Sequence, residues 1–461
     1  MLFNSGVFLF VFLPITYLVF WSLRSARPRY IWLAATGYVF YGYWNPKFCL
    51  LMLFSTVVSY TAGLGFRRYS APRARRWLLV VPITVDLSLL GFFKYADFAV
   101  GTVNAALAWT GAQPLSPFHV LLPVGISFYT FHTITYIVDC YRGHVEPTAD
   151  FFEFACYVSL FSQLVAGPIV RFRELQEDLE QIGTKDRREH FHRGWSFFAI
   201  GLFQKVLIAD SIAAVIDPAL AHAAALSTAG AWMAMLGYAY QIYFDFAGYS
   251  NMAVGLGFLF GMHIPRNFNS PYRALNPSDF WRRWHISLSR CLKDYLYIPL
   301  GGSRYGEWNA YRNLTITMLL GGLWHGAAWT FVAWGGYHGL LLAAYRRWGR
   351  WWDRLPVAVQ RGGMFVLVIF GWVLFRAPSW PVAMELFGHM LWPQGGAAMA
   401  GWAALAVLLV VAAVVAHAGR NTFEMPHAWS PVEAAGFAVL LVACLVALDG
   451  GRVSPFLYFQ F

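Results

Sequence analysis

The sequence predicts an all-α, polytopic membrane protein, and three observations predict it. Of its 461 residues 58% are hydrophobic and only 12% are charged, against about 25% charged in a soluble domain. Mean hydropathy is +0.49. Apolar runs long enough, or nearly so, to cross ~30 Å of hydrocarbon at ~1.5 Å per residue recur along the whole chain. They describe one integral membrane domain over residues 1–461, with no soluble domain appended.

In order, the runs are Val7–Leu23, Tyr30–Tyr43, Phe48–Phe66, Trp77–Phe93, Val120–Val138, Phe151–Val170, Trp195–Ile216, Ala229–Phe246, Met364–Phe375, Trp402–Val415 and Val432–Leu448. The first has no basic front end, and Arg24, Arg27 and Arg29 follow it, the pattern of an anchor rather than a cleaved leader. With those arginines inside, the N-terminus is outside. Arg67 to Arg76, then the basic residues of 171–193 and of 266–312, fall on the same inner side. Residues 171–194 carry balanced charge and read as a pair of cytoplasmic surface helices, with His190 and His192 facing solvent. The net charge of +11 collects at segment ends, where membrane lipid accounts for it better than nucleic acid does. Cys49, Cys140, Cys156, Cys291 and Cys444 are scattered, so neither disulfides nor a metal site is expected.

Residues 321–339 read GGLWHGAAWTFVAWGGYHG within an almost wholly apolar stretch, 313–345. A single crossing from Tyr311 to Tyr345 would make a helix of about 50 Å and throw Arg346, Arg347, Arg350 and Arg354 outside. A hairpin or re-entrant pair that returns to the cytoplasm avoids both, with the glycine pairs at 321–322 and 335–336 offering breaks. His325 then lies roughly 20 Å from the boundary at Arg312, near mid-membrane, and His338 about 12 Å deep on the returning limb. Ionisable groups at that depth face a cavity or a partner. One reading of His325 is a structural hydrogen bond between helices. The sharper one is a neutral imidazole that accepts a proton from an attacking hydroxyl. For His338 packing is at least as good a reading as chemistry.

Residues 276–300 hold too many charges to span. Asn276 as N-cap, Pro277 at the first helical position and Asp279 three after the cap start an amphipathic interfacial helix. Trp281, Trp284, Leu288, Cys291, Leu292, Tyr295 and Leu296 share one arc, and Arg282, Arg283, Arg290, Lys293 and Asp294 lie opposite. His285 projects into the apolar arc, where a buried role is expected of it. The basic face suits either anionic lipid or a phosphate-bearing ligand. Asp245 lies at membrane depth beside Gln241, Ser250 and Asn251, and a structural network suits it better than a place in the cavity wall. There is no P-loop, dinucleotide fingerprint, G-x-S-x-G or pair of acids at catalytic spacing. The absence of an internal repeat weakens a transporter reading, though a channel or transporter using buried His and Asp as a proton path stays as the rival of another class.

Five stretches in order, GISFYTFHTITYIVDCYRG (125–143), QLVAGPIVRF (163–172), YFDFAGYSNMAVGLG (243–257), the segment 266–304 and GGLWHGAAWTFVAWGGYHG, together resemble the bacterial membrane-bound O-acyltransferases, nearest to their alginate O-acetyltransferase branch. The matching core is roughly 120–340. The resemblance implies a ring of helices around a funnel with re-entrant and interfacial helices, in the inner membrane, where the outer N-terminus read from the arginines is periplasmic. It implies catalytic histidines at Trp324-His325-Gly326 and at His285; Trp324, His338 and Asp245 stand beside them as supporting candidates from the residues themselves. Asn251 departs from the Asp that relatives often carry, outside the presumed reaction centre. The resemblance also implies acetyl-CoA as donor, with no resident cofactor, and a periplasmic hydrolase-like partner that helps pass acetyl to an exported polysaccharide. The acceptors within this chemistry are alginate, cellulose, peptidoglycan or, for D-alanine, teichoic acid. Arg282, Arg283, Arg290 and Lys293 are the candidates for the coenzyme's phosphates.

Overall fold

The computed structural model describes residues 1–396, 399–427, 429–450 and 456–457, and every helix or strand among them is helical. Backbone that crosses lipid must satisfy its own hydrogen bonds, and helices do this within each segment. Among the described residues five helices are long and apolar enough to cross: Lys47–Arg68, Pro72–Leu107, Phe191–Ala221, Val357–Arg376 and Pro431–Asp449. Phe8–Ser22 and Trp402–Ala418 are shorter apolar helices. The chain is a multi-pass membrane protein. It divides into two compact units, Met1–Gly194 with Ala253–Pro265, and Trp195–Met252 with Arg266–Phe461.

In the first unit, polar groups on apolar helices are matched to one another. Asp86 accepts from Ser55 (2.6 Å) and Thr133 (2.7 Å), so one buried carboxylate joins three helices. The expected run Phe151–Val170 is not a span. Its helix stops at Ser159, and the remainder is buried irregular chain. Side chains supply the partners that helix would have given: Gln163 Nε2 donates to the Tyr157 carbonyl (2.8 Å) and the Tyr157 hydroxyl to that of Val170 (2.9 Å). Residues 171–194 also differ from the expected helix pair. Phe172–Glu180 is a helix and turns follow until Phe191. Asp178 holds this turn region by accepting from Lys185 Nζ (2.9 Å) and the backbone N–H of His263 (2.7 Å). His190 is half-buried, its ring 4.9 Å from that of His263, rather than solvent-facing.

In the second unit the helical hairpin is present: Glu307–His325 and Trp329–Trp352 pack side by side. The glycine pairs are not its breaks. The chain turns at Gly326–Ala328, and the pairs lie within the helices. A Cβ on Gly322 would strike the Phe331 carbonyl oxygen, and one on Gly335 that of Met318. These glycines permit backbone-to-backbone approach of the two limbs. Against the hairpin, Trp284, Trp334 and Trp372 are fully buried, with Trp372 centred 4.8 Å from Trp284 and 6.0 Å from Trp334.

Candidate active site

The amphipathic segment begins as expected. Asn276 Oδ1 accepts from the Asp279 N–H at 2.8 Å, and Pro277 opens the helix. It does not run unbroken to 300. One helix covers Pro277–Arg283, a second covers Ile286–Leu292, and a wider turn continues to Tyr297. His285 stands at the break with φ 43°, in the left-handed region, where a residue other than glycine marks strain or function.

The break has a cause in a segment further up the chain. The Asn269 N–H donates to the Arg283 carbonyl (2.9 Å), and the Ile286 N–H donates to that of Asn267 (2.9 Å). Residues 267–269 thus take hydrogen bonds that a continuous helix would have made. Asn267, 1% exposed, places its side chain at the same point. Its Oδ1 accepts from the Ser287 hydroxyl (2.9 Å) and the Ser287 N–H (3.3 Å), and its Nδ2 donates to the Ser250 hydroxyl (3.1 Å). His285 Nδ1 lies 3.1 Å from that same Oδ1. A backbone N–H can only donate, so Oδ1 is the acceptor and His285 Nδ1 carries the proton. In the neutral ring Nε2 then holds the lone pair. Sequence reasoning missed Asn267. It sits in a non-helical stretch, where neither helical nor strand periodicity marks a residue as buried.

His325 is the last residue of its helix, 4% exposed. Its ring meets Trp324 (4.9 Å between centroids), Trp334 (5.0 Å) and Phe375 (5.3 Å), and lies 6.2 Å from the ring of His285. Trp324 is also 6.0 Å from His285. Two imidazoles this close can reach a common oxygen, since each N···O bond spans about 2.8 Å. The arrangement suits proton removal from a hydroxyl within an aromatic, low-dielectric surround.

The other candidates sort by geometry. His338 stacks on Phe280 (5.8 Å, 8° between planes), and Trp334 stands between it and His325. Neither of its ring nitrogens has a hydrogen-bond partner among the described residues. Asp245 pairs with Lys205 (2.5 Å), which also pairs with Asp210 (2.7 Å), and Asp245 accepts the Leu457 N–H (3.0 Å). Its partners are therefore Lys205 and the Leu457 N–H rather than Gln241, Ser250 or Asn251, which the sequence placed beside it. Asn251 Nδ2 donates to Gln204 (2.8 Å) and Thr422 (3.1 Å). On the basic face Arg282, Arg290 and Lys293 are exposed. Arg283 is half-buried and engaged with Asp279 (2.9 Å) and the Asn269 carbonyl (3.2 Å). Among the described residues no group of three or more His, Cys, Asp or Glu is placed to hold a metal ion.

Comparison with known proteins identifies the family. The model of the MBOAT, membrane-bound O-acyltransferase family, matches residues 118–380, which include His285, His325 and His338. A probable alginate O-acetylase of Pseudomonas putida is 41% identical over the whole of both chains. A peptidoglycan O-acetyltransferase of Helicobacter pylori is 38% identical, covering 86% of this chain and 80% of its own. A teichoic acid D-alanyltransferase of Bacillus subtilis is 30% identical, covering 57% of this chain and 70% of its own. A family match over more than half the chain, joined to end-to-end identity at this level, means that this protein belongs to the membrane-bound O-acyltransferase family and is an acyltransferase.

Proposed function

We propose that the chain passes an acetyl group from a cytosolic thioester to an exported polysaccharide, alginate, at a reaction centre formed by His325 and His285. The juxtaposition of these two rings, 6.2 Å apart inside the family-matched region, carries the reading. The end-to-end likeness to an alginate O-acetylase supports the acceptor class.

In the reaction, the acceptor hydroxyl oxygen forms a bond to the acyl carbon as the carbon–sulfur bond breaks. His325 takes the hydroxyl proton and the sulfur leaves as thiolate, which takes up a proton in turn. His285, held by Asn267, orients that hydroxyl or shares its proton. The donor is acetyl-CoA, entering from the cytosol. Arg282, Arg290 and Lys293 guide its phosphates, whereas Arg283 is spent on Asp279. His325 lies about 20 Å along its helix from Arg312, a depth at which a thioester from one side and a hydroxyl from the other would meet. The protein sits in the inner membrane with its N-terminus in the periplasm, where a hydrolase-like partner completes transfer.

The test is incubation of purified protein with labelled acetyl-CoA and the periplasmic fraction, offered alginate or peptidoglycan. Label moves to alginate with the wild type and falls on the order of 10²–10⁴-fold in His325→Ala of unchanged elution volume. Full transfer by that variant overturns the assignment of the base. Transfer to peptidoglycan alone overturns the acceptor. Label held stably on the purified protein replaces direct attack with a covalent route.

A further inference from the structure

The first unit holds an open pocket of about 530 Å³ far along the sequence from both histidines, lined by Phe66, Arg67, Arg75, Cys140, Gly143 and Glu146 among others. It lies where the helices Lys47–Arg68 and Pro72–Leu107 are joined. Residues 67–76 hold Arg67, Arg68, Arg73, Arg75 and Arg76 with no acid among them. Two of these arginines line the pocket, and both are pinned by backbone. Arg75 donates to the carbonyls of Tyr141 (3.0 Å) and Phe66 (3.4 Å), with its guanidinium 5.1 Å from the Phe66 ring and 5.8 Å from that of Tyr141. Arg67 donates to the Pro147 carbonyl (3.1 Å). Neither has a carboxylate at ion-pair distance among the described residues.

A guanidinium has five N–H donors in a planar fork, and one or two carbonyls leave most of them to offer. Two such forks, oriented in advance and unneutralised, suit a group with several anionic oxygens. The pocket lies at the end of a membrane-crossing helix, and exposed Tyr69 and Trp77 flank the joining turn. Aromatic side chains of this kind sit at headgroup level. Trp77, Val80 and Val81 are exposed on the following helix, so apolar surface for acyl chains is close in sequence. Glu146 is the one carboxylate in the lining and weakens the site.

We infer that this pocket binds the phosphodiester headgroup of an anionic lipid, with Arg67 and Arg75 as its ligands. The inference rests on the membrane assignment but not on the proposed acetyl transfer. The test is ligand-dependent thermal stability and native mass spectrometry of the full chain in mild detergent, with dioctanoyl phosphatidylglycerol, dioctanoyl phosphatidylcholine and glycerol phosphate as probes. Phosphatidylglycerol binds and stabilises the wild type, and the other two do so far less. The double variant R67Q/R75Q weakens phosphatidylglycerol binding about 30-fold, from ~1 kcal/mol per basic residue near a lipid surface. R73Q/R76Q, with the same charge loss on the same turn but outside the pocket lining, keeps it. E146Q tightens binding about fivefold by the same scale, a gain that misfolding would not give. Equal losses in the two double variants overturn the pocket in favour of a diffuse basic surface. Glycerol phosphate acting as strongly as the lipid overturns the lipid in favour of a soluble phosphate ester.

Discussion

Asn267 Oδ1 sits 3.1 Å from His285 Nδ1 and also accepts from both donors of Ser287. One buried amide oxygen thus fixes the protonated edge of an imidazole and the start of the helix that follows it. Asn267→Ala removes that acceptor and leaves buried donors unmet, at about 1–3 kcal/mol of stability. We expect kcat to fall at least tenfold with KM little changed, because the ring is misdirected while the donor's binding surface remains. Asn267→Asp retains the acceptor and recovers most of the rate. Steady-state kinetics with both variants checks this, and Asp and Ala variants of equal activity refute the positioning role.

His338 behaves as an aromatic plate. It stacks on Phe280 and touches Trp334, with neither nitrogen hydrogen-bonded among the described residues. His338→Phe therefore keeps acetyl transfer within a few-fold and changes stability by less than about 1.5 kcal/mol. A hundredfold loss of kcat with an unaltered melting temperature would place His338 in the chemistry.

The hairpin that carries His325 depends on Gly322 and Gly335. Alanine at either would push its Cβ into a facing carbonyl oxygen, and overpacking of this kind destabilises by about 1–3 kcal/mol. Gly336, whose Cβ would meet only the flexible tip of Leu319 at 3.4 Å, tolerates alanine and gains about 0.5–1 kcal/mol of helix stability. Thermal unfolding of Gly322→Ala, Gly335→Ala and Gly336→Ala separates close approach from simple helix propensity.

Outside the membrane-spanning segments, Asp178 supplies a pH dependence. Burial alone would raise its pKa, but hydrogen bonds from His263 and Lys185 hold the carboxyl at about 2, below the usual 3.8. The folded state therefore favours the ionised form. Its contribution is complete above about pH 4 and is lost as pH falls toward 2. Pepsin cleavage within 172–190 should rise across that window in the wild type. In Asp178→Asn the same cleavage should be high and nearly flat, and an equal slope in both proteins would remove Asp178 as the titrating group.

Much of this was legible in the chain because membrane helices advertise themselves. Apolar runs mark their length, and the folding back of 313–345 follows from bilayer thickness and from Arg346 to Arg354. The cap at Asn276 reads directly from Asn, Pro and Asp in order. What could not be read were features set by residues distant in sequence. Phe151–Val170 has span-like composition, yet Gln163 and Tyr157 satisfy a backbone that leaves the helix at Ser159. Glycine pairs mean a break or a contact equally well until the facing limb is known. The segment 276–300 has an unbroken helical arc, and only the neighbouring residues 267–269 interrupt it. His285 was found from its place in the apolar arc. The interruption that turns its backbone left-handed was not.

The backbone at His285 decides how its chemistry can be interrogated. With φ at 43°, most side chains would be strained there, while His, Asn and Asp accept the conformation more readily than others. Alanine or valine at this site would alter chain geometry and remove the ring together, so an inactive protein would report on either. Asparagine keeps the conformation and deletes only the imidazole. It is the substitution from which a lost rate can be attributed to the missing imidazole.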